Sequence, residues 1–227
     1  MKQTGVPYLP IVMSRTSLKL IAVMLMLSNH YAAFLVPFGP LQSFLVNIGY
    51  FTAPIMCYFL VEGYGYTRSK RSYASRLLVF ALLSQYPYSQ LFGTILNMLF
   101  SLFFCFLLLY VNERAGEDCL RIVLMGGLFL VSLFCDWSLL APLMTLMFSL
   151  SGKDRRKLWL SFALAAALMA IEQQSLLSAL PVLAAGFAAL VIYNGKEGLR
   201  LKWFFYLFYP LHLLVLVCLV YYFPLAP

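Results

Sequence analysis

Residues Leu18 to Pro37 read LKLIAVMLMLSNHYAAFLVP, an apolar run of membrane length with Ser28, Asn29 and His30 set inside it. A bilayer core of roughly 30 Å needs about 20 helical residues, and this run supplies them. An ionisable side chain in such a run is costly, so His30 marks a site by default. At 1.5 Å per residue, His30 lies roughly 18 Å from Leu18, at mid-depth or in the far half of a crossing helix. His212, the other histidine, falls about nine residues past Trp203 in the last apolar run, at comparable depth.

The rest of the chain has the same character. Of its 227 residues, 63% are hydrophobic and 11% charged. A soluble domain carries about 25% charged residues, so this composition reads as a polytopic α-helical membrane protein. No segment alternates with period two between turn signals, which excludes a β-barrel. The loops are too short for a separate soluble domain, and residues 1–227 read as a single integral-membrane domain. No small-residue cleavage pattern follows His30, so the first helix reads as retained. The net charge of +8 does not indicate nucleic acid, because the basic residues sit at helix ends. The five cysteines (57, 105, 119, 135 and 218) lack metal or CxxC spacing and read as packed thiols, with no metal site.

About nine helices are expected, near 18–37, 42–66, 73–88, 95–111, 120–135, 138–151, 158–173, 176–193 and 203–223. The third stops at Tyr86-Pro87-Tyr88. If they alternate, every basic segment falls on one side: residues 1–17, 66–76, 112–121, the run GKDRRK at 152–157, and 194–202. The opposite connections, 38–41, 89–94, 136–138 and 174–177, contain no Lys or Arg. The positive-inside rule puts the N-terminus in the cytoplasm, in a multi-pass inner-membrane protein.

Each polar residue has a plain reading and a sharp one. His30 is either interhelical glue or a general base, and His212 divides the same way. Glu62 reads as an inner-end residue paired with Arg68 or Arg76. Arg76 either snorkels or clamps an anion. Asp136 caps the helix at Ser138 or takes part in chemistry. GKDRRK reads as a topology determinant. Ser-His-Asp spacing, a P-loop, Rossmann glycines, HExxH and zinc-type clusters are absent from the sequence.

Ordered motifs go further. LKLIAVMLMLSNH (18–30), GYFTAPIMCYFLVEGYGYTR (49–68), YASRLLVFALLSQYPYSQLF (73–92), ILNMLFSL (95–102) and YNGKEGLRLKWFFYLFYPLHLLVL (193–216) together resemble the TraX family, named for the F-pilin acetylase. Residues 112–190 match mainly in hydropathy. Two departures stand out: Asn29 stands where the family pattern has Asp before the His, and Tyr50 stands where it has Arg.

The resemblance implies membrane-embedded transfer of an acetyl group from acetyl-CoA to an amine or hydroxyl, such as the N-terminus of a pilin-like or secreted peptide. His30 is then the base, with Asn29 and His212 beside it. Arg68, Lys70, Arg71 and Arg76 are expected to meet the CoA phosphates, with Glu62 in the same inner group. Asn29, Gln85 or Asn97 is expected to serve the oxyanion, with Asp136 and Tyr209 on the acceptor side. The alternative is a pilus or secretion assembly partner without chemistry, or a proton-coupled transporter. A transporter would show an internal repeat with matched helix breaks, which this sequence lacks.

Overall fold

A computed structural model describes residues 12–93, 96–114, 116 and 118–222. Residues 1–11, most of the expected leader, lie outside the described residues. The described chain is all-helical: α1 (Arg15–Leu35), α2 (Pro40–Gly49), α3 (Thr52–Tyr66), α4 (Lys70–Phe92), α5 (Met98–Arg114), α6 (Asp118–Ser132), α7 (Leu140–Ser151), α8 (Arg155–Glu172), α9 (Ala179–Phe187) and α10 (Lys202–Tyr222). A 3₁₀ turn (Leu176–Ser178) precedes α9 and a π turn (Ala188–Ile192) follows it.

Three stretches are long and apolar enough to cross a membrane: Arg15–Leu35, Pro40–Tyr66 and Lys202–Tyr222. Leu140–Ser151 and Leu176–Ile192 are apolar but shorter. Large apolar side chains on the outer faces, such as Met24, Leu82, Ile122, Leu160 and Val215, are exposed. A surface of that kind suits lipid better than water.

The expected second helix is two helices. Pro54 has no N–H to give the carbonyl of Tyr50, and its ring crowds that carbonyl. The chain breaks at Tyr50-Phe51, where Tyr50 N–H bonds Asn47 O at 3.0 Å and Phe51 N–H bonds Ile48 O at 3.3 Å. Pro87 behaves differently. It forfeits only the bond to Leu83, Pro87 and Tyr88 are buried, and α4 runs on to Phe92 instead of stopping. The expected helix 176–193 is likewise divided into 3₁₀, α and π turns.

Bonds between elements define the two ends of the bundle. At one end Arg15 Nε donates to Glu62 at 2.9 Å, Tyr193 donates to the same carboxylate at 2.9 Å, and Tyr64 bonds Glu113. At the other end Leu96 N–H bonds Phe134 O at 2.8 Å, Asp136 N–H bonds Leu96 O at 2.6 Å, and Tyr50 bonds Gln173 at 2.9 Å. Every Lys and Arg among the described residues belongs to the first end. Asp136 and Glu172 are the charged groups of the second among the described residues.

The α1·α2 contact is close at Gly49. A Cβ on Gly49 would lie 2.3 Å from Cβ of Asn29. Gly49→Ala is therefore expected to lower stability by about 1–3 kcal/mol through overpacking, read as a lower thermal midpoint in detergent. Adding Asn29→Gly should restore most of it, and an unchanged midpoint for the single variant would contradict the packing.

Candidate functional site

His30 lies four turns into α1, and His212 lies three turns into α10. The rings meet in the bundle interior, 8% and 6% exposed. His30 Nδ1 is 3.0 Å from His212 Nε2, and His212 Nδ1 is 3.0 Å from the Phe208 carbonyl one turn earlier. Phe92 packs edge-on to His30 at 5.2 Å, and Phe208 stacks on His212 at 5.1 Å. Asn29 turns away: its Nδ2 donates to Val46 O at 2.6 Å, pinning α2 to α1. The residue beside His30 in sequence thus does not hold it, and His212 does.

Two cavities abut at this level. The smaller, about 140 Å³, is lined by His30, Asn29, Tyr50, Tyr88, Asp136 and Trp137, among others. The larger, about 250 Å³, opens among Arg15, Lys19, Arg76, Arg200 and Lys202, with Glu197 as the one acid lining it among the described residues. Deeper in, its walls are apolar (Val23, Leu60, Leu77, Leu99, Leu102). Met26, Thr52, Met98 and Tyr209 line both cavities and form the wall between them.

The cations of the larger cavity differ in how they are held. Arg15 is neutralised by Glu62. Lys19 Nζ lies 5.8 Å from the Phe59 ring centre and 5.7 Å from that of Phe205, and no carboxylate bonds it among the described residues. Arg76 donates through Nη1 to Ser72 at 2.6 Å and lies over the Tyr73 and Tyr206 rings. Its Nε is buried without a hydrogen-bond partner. An apolar tunnel with a cationic mouth suits a ligand with a phosphorylated head and an apolar stem.

The residues singled out in the sequence separate accordingly. His30, His212, Asn29, Tyr209, Asp136 and Arg76 gather around the two cavities. Arg68, Lys70 and Arg71 line neither; Lys70 bonds the Tyr64 carbonyl and sits 3.3 Å above that ring. Glu62 pairs with Arg15 rather than with Arg68 or Arg76, because the start of α1 lies against α3. Gln85 and Asn97 bond each other at 2.9 Å, and Asn97 Oδ1 accepts Leu99 N–H at 3.0 Å, capping α5. Asn97 serves the helix start, and neither residue lines either of the two cavities. Lys19, Arg200 and Lys202 were the residues missed. The sequence signal for Lys19 was its position, one turn inside Arg15 on the same helix.

Tyr209 stands at the junction. Its hydroxyl accepts Met98 N–H at 3.3 Å, and its ring lies 5.3 Å from that of His212. Asp136 lies in the turn between α6 and α7, outside the helices. Burial pushes its carboxyl up to about 6, opposed by bonds from Trp137 N–H and the Tyr88 hydroxyl, while Glu172 raises it further.

The sequence model of a family described as "TraX protein" matches residues 14–220. The "Probable fimbrial assembly protein FimC, serogroup H1" of Dichelobacter nodosus is 29% identical over 229 residues, covering 89% of this chain and 94% of that protein. No solved structure matches.

The Asp136 carboxyl gives a signed pH dependence. Its value in the fold, about 6, lies above the unfolded value of 3.8, so folding disfavours the ionised form. The stability present below the unfolded value is lost as pH rises through 6. Asp136→Asn keeps an acceptor for Tyr88 and is expected to be more stable than the parent at pH 8, by on the order of 1–3 kcal/mol, and equal to it at about pH 3. Thermal midpoints of both proteins across that range test this; a difference independent of pH refutes it.

Proposed function

The chain belongs to the TraX protein family, and from that premise we propose that it is a membrane-embedded acyltransferase. It moves an acetyl group from acetyl-CoA to an amine or hydroxyl on a pilin-like or secreted peptide. The observation that carries the reading is the pair of abutting cavities, one with a cationic mouth and the other lined by His30, which His212 backs from behind. The name of the Dichelobacter relative, a fimbrial assembly protein, supports a pilus-linked acceptor.

On this reading the helices cross the inner membrane repeatedly, with the basic end in the cytoplasm as the positive-inside rule requires. Lys19, Arg76, Arg200 and Lys202 hold the phosphates, and the apolar tunnel takes the arm that carries the thioester. His30 Nε2, which has no partner among the described residues, takes the proton from the acceptor nitrogen or oxygen as that atom attacks the thioester carbonyl. The C–S bond breaks, and the proton passes from His30 to the departing thiolate. The Tyr209 hydroxyl, at the wall between the cavities, is placed to donate to the oxyanion.

The test is transfer of acetyl groups by purified protein in proteoliposomes, with a pilin N-terminal peptide as acceptor. His30→Ala should lower kcat about 10²–10⁴-fold, the usual worth of a general base, and leave the thermal stabilisation by acetyl-CoA intact. Lys19→Ala and Arg76→Ala should raise KM for acetyl-CoA about tenfold or more with little change in kcat. A folded, fully active His30→Ala protein refutes the mechanism. Absence of any acetyl-CoA stabilisation favours an assembly role without chemistry.

A further inference from the structure

The His30–His212–Phe208 chain fixes where the protons lie. A carbonyl oxygen can only accept, so the 3.0 Å contact with Phe208 O puts the hydrogen of His212 on Nδ1. In a neutral ring that leaves Nε2 of His212 as a lone pair. Its neighbour at 3.0 Å, His30 Nδ1, must then be the donor. The opposite arrangement fails. With His212 neutral and its hydrogen on Nε2, its Nδ1 lone pair would face the Phe208 oxygen. With His212 charged, a cation 6% exposed would lie with no bonded carboxylate among the described residues.

We propose that His212 is a positioning residue: it holds His30 as the Nδ1–H tautomer, so that the only lone pair on the His30 ring is at Nε2. His30 lines the smaller cavity, whereas His212 lines neither. Nothing else bonded to His30 among the described residues can set its tautomer. Phe92 offers only a ring edge, and the Asn29 amide is engaged by Val46. Asp136, the carboxylate lining the same cavity, is bonded by Tyr88 and the Trp137 N–H. Histidine in water prefers the Nε2–H form, which would place the lone pair on Nδ1. The contact with His212 reverses that preference. It also gives the positive charge that His30 acquires on taking a proton a bonded neighbour to share it. The catalytic consequence rests on the acyltransferase reading; the tautomer does not.

The chain has only two histidines, so ¹⁵N-histidine labelling gives two rings to assign. Spectra of the reconstituted protein near pH 7.5 should show both rings neutral and protonated on Nδ1. A coupling across the hydrogen bond should join the protonated Nδ1 of one ring to the bare Nε2 of the other. This needs neither a variant nor a known acceptor, so it stands apart from any failure to detect transfer. Finding His30 protonated on Nε2, or no coupling between the rings, overturns the proposal. In the transfer assay, His212→Gln supplies an oxygen to accept the Nδ1 hydrogen. It should keep kcat within about tenfold of the parent, while His212→Leu loses at least another tenfold at unchanged KM for acetyl-CoA. Equal loss in the two folded variants would make His212 a proton carrier instead.

Discussion

The seam between the start of α1 and the segment after α9 sets the rest of the molecule. Met13 N–H bonds Ile192 O, Asn194 N–H bonds Met13 O, and Arg15 N–H bonds Lys196 O, each at 2.9–3.0 Å. The Thr16 hydroxyl then reaches the carbonyls of Glu197 and Leu199 at 2.7 and 2.6 Å. Gly198 has φ +79°, and a Cβ there would lie 2.3 Å from Ser14 Oγ, so only glycine fits that close pass. Because α10 starts at Lys202, directly after this seam, the bonds fix its height and rotation against α1. A slip of one residue moves a side chain about 1.5 Å along a helix and about 100° around it. Either displacement would separate His30 from His212, which stand 182 positions apart in the chain.

The same seam builds the mouth of the larger cavity. Glu197, Leu199, Arg200 and Leu201 line it from the segment after α9, and Arg15, Thr16 and Lys19 line it from α1. One set of backbone bonds thus positions both the cationic entrance and, through α10, the histidine contact deeper in. The polar end and the interior pair are thus linked through the backbone of α1 and α10.

Much of this was legible in the sequence, for physical reasons that also mark where legibility ends. The long apolar runs gave the helices, because buried or lipid-facing backbone must satisfy its own hydrogen bonds. The Lys and Arg positions gave the shared polarity of the connections. His30 and His212 drew notice because an ionisable group in an apolar run needs a reason. Faces were not legible. A helix apolar all round has no stripe to show which side meets which neighbour, so nothing in the run 18–37 said that Asn29 turns to Val46. Partner choice was equally hidden. Glu62 has bases six and fourteen residues ahead, yet it bonds Arg15, 47 positions back, because α1 rather than α4 lies against it. The break at Tyr50 was readable from Pro54 by looking four residues upstream of the proline.

The wall between the cavities is the remaining point of synthesis. Met26, Thr52, Met98 and Tyr209 keep a space reached past five cations apart from one lined by His30. Thr52 is fixed by its bond to Ala22 O at 2.7 Å and Tyr209 by Met98 N–H. The two methionines are the pliant members, since thioether side chains repack at little cost. On the proposed function, this is where donor and acceptor meet.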